Sequence, residues 1–64
     1  MQQEKLIRER IKEKVFIETG KKVRNVFFCC GGIDNKNVYC LVGNNNNIFG
    51  VAAINSKNEI EVIV

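Results

Sequence analysis

The sequence lacks histidine, tryptophan and proline, and it has only 64 residues. Histidine is the usual general base near neutral pH and the commonest metal ligand, so its absence argues against most catalytic and metal centres. No stretch approaches the roughly 18 uninterrupted apolar residues of a membrane-spanning helix. Residues 1–5 open a charged segment instead of the apolar run of a signal peptide, which predicts a cytoplasmic protein. The length predicts one domain over residues 1–64, with a marginal core.

The composition is that of a folded domain. Hydrophobic residues make up 45% of the chain and charged residues 27%, which argues against intrinsic disorder. The net charge of +3 is unevenly distributed, because residues 1–24 hold eight Lys and Arg against four Glu. This basic first part permits an acidic partner without requiring one.

Residues 2–19 are predicted to form a helix. The segment contains no glycine and many strong helix formers, and Gly20 follows where a helix is expected to end. Ile7, Ile11 and Val15 recur at intervals of four, which indicates a stripe that faces a core. Leu6 and Ile17 widen this stripe to one side on a helical wheel.

Four strands are predicted after the helix, because β-forming residues alternate there with short turn segments. Their predicted bounds are 22–30, 37–43, 48–54 and 59–64, with loops at 31–36, 44–47 and 55–58. Short connections favour antiparallel hairpins. The sequence therefore predicts an α+β fold in which one N-terminal helix packs on one face of a small antiparallel four-stranded meander, α-β-β-β-β.

The predicted sheet has more apolar surface than one helix can cover. Both faces of strands 37–43 and 48–54 are apolar, and we expect the helix on the face of Gly50 and Ala52, where small side chains permit a close approach. The opposite face is then expected to present a partner-binding surface, most simply for a second copy of the chain. The alternative is that a bent sheet or a loop covers this face within the monomer. The predicted surface consists of Tyr39, Leu41, Phe49 and Val51, whereas the register of strand 22–30 leaves open whether Phe27 or Phe28 joins it.

The cysteines are Cys29, Cys30 and Cys40. An odd number argues against a disulfide framework, and adjacent Cys29 and Cys30 are expected on opposite faces of a strand. No zinc-binding spacing is present, so we predict no metal and no cofactor, and we read the three as small buried side chains while a redox or metal role stays open. No nucleophile has a recognisable base beside it, which predicts a protein that is not an enzyme.

A basic surface is the second predicted binding site for a partner. Six residues of the first part of the chain could bind an acidic partner or nucleic acid, and they are Lys5, Arg8, Lys12, Lys21, Lys22 and Arg24. Glu9 and Glu13 interrupt this cluster, so nucleic acid is the less favoured partner.

These features predict a small non-enzymatic protein-binding module that forms a homodimer and has no membrane partner. The many Asn, Ile and Lys residues have AT-rich codons, and compact proteins without motifs are typical of phage or mobile-element inhibitors and regulators that act on a host protein. This last step is associational. The alternatives are a nucleic-acid-binding regulator that uses the basic helix face, or an oligomeric sponge for a small anionic ligand.

Overall fold

The computed structural model describes the backbone of residues 2–64 and the side chains of residues 5–32 and 34–64. Neighbouring strands are antiparallel and follow the order of the chain across the sheet. This arrangement confirms the predicted α+β meander. The elements are α1 (Gln2–Thr19), β1 (Asn25–Ile33), β2 (Lys36–Val42), β3 (Ile48–Asn55) and β4 (Ile60–Ile63).

Helix α1 packs on the sheet through a narrow stripe. Ile11 and Val15 are fully buried, and Ile7 is partly buried against them. Leu6 and Ile17, which were expected to widen the stripe, are 58% and 73% exposed. Both lie more than about 100° from Ile11 on the helical wheel, so the buried stripe does not reach them.

The helix ends as the sequence predicts. Gly20 adopts a left-handed backbone with φ of 74°, and its amide donates a hydrogen bond of 2.8 Å to the Phe16 carbonyl. The Thr19 hydroxyl donates to the Val15 carbonyl at 2.7 Å. These bonds satisfy carbonyls of the last turn that have no partner within a helix.

The first hairpin is tighter than expected. Residues 31–36 were predicted to form a loop, but β1 continues through Gly31 and Gly32, and only Asp34 and Asn35 form the turn. Their φ values of 52° and 61° are those of a two-residue type I′ turn, which favours Asp and Asn. Gly32, with φ of 77°, sits in a second irregularity of β1 and supplies a backbone that other residues rarely adopt.

The two remaining turns depend on asparagine, as predicted. The Gly43 amide donates to the Asn47 carbonyl at 2.9 Å, and Asn46 between them has φ of 61°. In the turn before β4, the Asn55 side-chain oxygen accepts the amides of Lys57 and Glu59 at 2.9 and 3.0 Å. Asparagine tolerates positive φ and bonds to nearby backbone, so it closes both hairpins.

The core lies between α1 and one face of the sheet. Small side chains of β3 face large ones of β2 there, and the buried cluster consists of Ile11, Val15, Val26, Tyr39, Leu41, Ala52 and Ile54. Gly50 belongs to the same face of the sheet and lies against the last residues of the chain. A Cβ at this position would lie 2.6 Å from the Ile63 carbonyl oxygen and 2.7 Å from Val64 Cγ1, so only glycine fits without a shift.

Candidate protein interface

The surface of the sheet opposite α1 is apolar and uncovered. Strand pairing places Phe27, Cys40, Val51 and Ile63 in one row that crosses all four strands. Side chains of the adjacent rows lie on the same side of the sheet, because alternate residues of a strand share a face. We call this surface the open face, and it consists of Phe27, Val38, Cys40, Val42, Ile48, Val51, Ala53 and Ile63.

The largest side chains of the open face lie at its margins. Phe27 on one edge strand and Ile63 on the other are 50% and 53% exposed, and Ile48 at the start of β3 is 63% exposed. Between them lie smaller residues, of which Ala53 and Val42 are mostly covered by their neighbours. One end of the face is polar, where Lys36 Nζ lies 3.4 Å from Glu61 Oε1. The open face therefore combines an apolar centre with a charged border.

Tyr39 and Leu41 were predicted to lie on the face opposite the helix, and this prediction is wrong. Both belong to the core beneath α1, where Tyr39 is 3% exposed and Leu41 is fully buried. The reason is the register between β2 and β3. Leu41 lies opposite Gly50 and Tyr39 opposite Ala52, so all four share the face that the helix covers. The helix was correctly expected on the side of Gly50 and Ala52, but the sequence alternation of β2 did not show which of its residues joined them.

Phe49 and Val51 separate for a related reason. A β-bulge between β2 and β3 pairs Val42 with Ile48 and Leu41 with Gly50, which leaves Phe49 without a partner in the ladder. Phe49 packs against the core, and Lys21 Nζ lies 5.6 Å from its ring centroid. Of the four predicted interface residues, only Val51 lies on the open face.

The register of β1 decides the ambiguity between its two phenylalanines. Phe27 lies opposite Cys40 and belongs to the open face. Phe28 lies opposite Tyr39 on the helix side, where the two rings meet edge to face with centroids 5.6 Å apart. Phe28 is nevertheless 53% exposed.

The three cysteines lie together at the β1 side of the open face. A bulge between Phe28 and Cys30 inserts Cys29 as an extra residue, so Cys29 and Cys30 do not alternate as in a regular strand. Strand pairing places Cys30 opposite Val38, and Cys40 follows Val38 by two residues on β2, so the three cysteines are near neighbours in the sheet. The bulge removes the regular alternation on which the expected placement of Cys29 and Cys30 on opposite faces was based, and no sequence signal announces it.

This environment changes the acidity of two thiols. Loss of solvent at the sheet surface raises the pKa of Cys30 and Cys40, and the contact with Cys29 raises both further. All three cysteines are free thiols. Within the described side chains, no group of three or more cysteine and acidic residues is arranged to hold a metal ion.

The predicted basic residues are divided among several contacts, although two of them, Lys12 and Lys22, line the same shallow groove. Lys12 Nζ lies 3.7 Å from Glu9 on the preceding turn, and Arg24, directly before β1, donates to the Asn44 carbonyl at 3.4 Å. Lys21 lies over the ring of Phe49, whereas Lys22 borders a shallow groove beside Phe16. Lys5 is exposed and Arg8 half-buried on the helix. The arrangement offers separate positive charges, not a continuous track for a phosphate backbone.

The outer surface of α1 carries several large apolar side chains. Leu6, Phe16 and Ile17 are all more than half exposed, and Glu9, Arg10 and Glu13 lie among them. Leu6 and Phe16 border the groove that Val23 and Lys22 close. No helix among the described residues is long and apolar enough to cross a lipid bilayer.

Comparison of the chain with protein-family models, with curated proteins and with solved structures found no match.

Proposed function

We propose that this chain is a non-enzymatic binding module that forms a homodimer through the open face. The observation that carries this proposal is the uninterrupted apolar row from Phe27 on β1 to Ile63 on β4. Apolar surface of this extent on a small domain marks an interaction site more often than chance exposure. A second copy is the simplest occupant, because two sheets pack face to face at about 10 Å and bury both apolar faces at once.

The accessible surface of the chain supports this proposal quantitatively. The chain exposes 4671 Å². A folded monomer of its 7.3 kDa mass is expected to expose about 4,200 Å², so roughly 500 Å² is in excess. Burial of an equal area of the open face on both copies removes about 1,000 Å² from water, which is the lower limit for a specific interface. We therefore expect a weak, reversible dimer instead of an obligate one.

The charges at the border are compatible with this packing. Lys36 and Glu61 already form an ion pair at one end of the open face, so a second copy does not have to bury an isolated charge there. Both side chains are also largely exposed, which places them at the rim of an interface. The dimer thus covers the apolar rows and leaves this ion pair in water.

The regulatory role remains part of the proposal. An inhibitor or regulator of phage or mobile-element type, acting in the cytoplasm on a host protein, needs a surface that the dimer does not use. Face-to-face packing of the sheets directs both helices outwards, so Leu6, Phe16 and Ile17 stay accessible to such a target. The free thiols agree with a cytoplasmic location, where disulfides are rare.

Sedimentation of a charged variant tests the proposal. Phe27→Asp introduces a charge on the open face, and Ile17→Asp introduces the same charge on the outer surface of α1. We expect the wild type and Ile17→Asp to associate between low micromolar and millimolar concentration, and Phe27→Asp to remain monomeric. Circular dichroism establishes that each variant is folded, and Ile48→Asp replaces Phe27→Asp if that variant unfolds.

Two results contradict the proposal. A wild-type chain that stays monomeric at millimolar concentration has no self-association. Equal association of wild type and Phe27→Asp places the contact elsewhere on the surface.

A further inference from the structure

The outer edge of β1 carries backbone groups that no other strand within residues 2–64 meets. The sheet order is β1-β2-β3-β4, so β1 pairs with β2 on one side only. The amides and carbonyls on the other side of an edge strand can receive a further strand by the same hydrogen bonds that join the strands of a sheet. β4 forms the other edge of this sheet, and the two edges differ.

The β4 edge has two features that oppose pairing, and β1 lacks both. β4 has only four residues, Ile60–Ile63, and one of them is the charged Glu61. Short edge strands and edge charges are common means by which proteins prevent contact between sheet edges. β1 has nine residues, Asn25–Ile33, with no charge and no proline among them. Its protection is limited to two bulges, which begin after Phe28 and leave residues 25–28 in regular register.

Two phenylalanines of this regular part are half exposed at the edge, one on each side of the sheet. Phe27 belongs to the open face and is 50% exposed, and Phe28 lies on the helix side and is 53% exposed. A further strand beside β1 would cover the flanks of both rings, because opposed side chains of paired strands lie about 4.5–5.5 Å apart. A dimer through the open face covers Phe27 but leaves Phe28 in water.

We propose that the β1 edge pairs antiparallel with β1 of a second copy, so that two four-stranded sheets join into one sheet of eight strands. A two-fold axis perpendicular to the sheet relates the two strands, which keeps both open faces on the same side. The second copy fits this edge because β1 is uncharged throughout, so the pairing opposes no like charges. It also supplies apolar side chains on both sides of the sheet, where Phe27 and Phe28 need cover.

This contact goes beyond the proposed dimer and uses a different surface. The dimer packs two open faces against each other, whereas the edge contact extends the hydrogen-bonded ladder of one sheet. Phe27 belongs to both surfaces, so Phe27→Asp is expected to weaken both contacts. Phe28 lies at the edge but not on the open face, and Ile48 at the start of β3 lies on the open face but not at the β1 edge. A charge at either of these two positions therefore removes one contact alone.

Sedimentation equilibrium of Ile48→Asp isolates the edge contact. At millimolar concentration we expect Ile48→Asp to sediment as two chains, and Ile48→Asp combined with Phe28→Lys as a single chain, because a lysine on an edge strand opposes pairing. Ile48→Asp combined with Ile17→Lys is the matched control, since it carries the same charge on the outer surface of α1, and it should pair as Ile48→Asp does. Circular dichroism establishes that each variant is folded.

Amide hydrogen exchange provides a second measurement that does not depend on the folding of Phe28→Lys. In Ile48→Asp, exchange is compared at low micromolar and at millimolar concentration. We expect amides of residues 25–28 to exchange more slowly at the higher concentration, because the second copy of β1 accepts the hydrogen bonds of those that point away from β2. Amides of the β4 edge, residues 60–63, are expected to exchange equally at both concentrations.

The inference is overturned if Ile48→Asp stays monomeric at millimolar concentration, or if it associates without slower exchange in residues 25–28. If the wild type associates in the first case, the proposed dimer stands and only the edge contact fails. If Ile48→Asp associates as strongly as the wild type and Phe28→Lys does not associate, the proposed dimer fails and the edge contact stands. Where Ile48→Asp replaces Phe27→Asp in the test of the open face, it therefore also carries Phe28→Lys.

Discussion

Replacing Leu41 with alanine tests which side of the sheet the helix covers. Leu41 is fully buried beneath α1, whereas Ile63 on the open face is 53% exposed. A fully buried leucine truncated to alanine leaves a cavity and costs about 3 kcal/mol. Ile63→Ala removes a side chain that is already half in water, so we expect it to cost under about 1 kcal/mol in the monomer. The two variants are a matched pair, because each truncates an aliphatic side chain of four carbons to a methyl group.

These costs correspond to a large difference in melting temperature. For a domain of this size, each kcal/mol lowers the midpoint by about 4–8 °C, so Leu41→Ala is expected to melt at least about 12 °C below the wild type. Ile63→Ala is expected to melt within about 8 °C of it. The measurement is thermal unfolding followed by circular dichroism at low micromolar concentration, where dimerisation does not contribute. Equal shifts, or a larger shift for Ile63→Ala, would refute the assignment of the two faces.

Three further predictions concern single residues. Gly20→Ala should destabilise the fold by about 1 kcal/mol, as measured by urea unfolding, because alanine is strained at a φ of 74°. Gly50→Ala should lower the free energy of unfolding more than Gly20→Ala in the same assay. A Cβ at Gly50 would lie 2.6 Å from a backbone oxygen, whereas a Cβ at Gly20 would meet nothing within 4 Å. Equal losses of stability would contradict the packing of the C-terminus. Alkylation of Cys40 by iodoacetamide should need a higher pH than that of a free thiol, because burial raises its pKa and thus lowers the thiolate fraction until the pH reaches the raised value. A pH profile that matches free cysteine would contradict this environment.

The elements of the fold could be predicted because their signals are local. The spacing of Ile7, Ile11 and Val15 defines the buried stripe of α1, and Gly20 ends the helix through its left-handed backbone. The asparagine-rich segments around Asn46 and Asn58 similarly contain the residues that tolerate positive φ. None of these signals depends on contacts between distant parts of the chain.

The face assignment of β2 could not be predicted because it depends on register. Both faces of β2 and β3 are apolar, so alternation alone does not choose between them. The informative signal is volume, since Leu41 pairs with Gly50 and Tyr39 with Ala52, and large side chains opposite small ones fill the space beneath a helix. The bulge at Phe49 then places that residue against the core, whereas it was expected on the face opposite the helix.

The cysteine cluster was hidden for the same reason. A bulge adds one residue to a strand and breaks the period of two on which any face assignment from sequence rests. Cys29 is the added residue in β1, beside Cys30 and near Cys40 on the neighbouring strand. The presence of an uncovered apolar face was expected because the predicted sheet has more apolar surface than one helix can cover. That comparison does not depend on these local shifts.

Methyl NMR spectra recorded over a dilution series test the central claim most directly, because they locate the contact as well as detect it. If two copies pack through the open face, methyl resonances of Val38, Val51 and Ile63 shift with protein concentration, while those of Ile11 and Val15 beneath α1 stay fixed. Shifts confined to Leu6 and Ile17 on the outer surface of the helix, or no shifts up to millimolar concentration, would contradict the account.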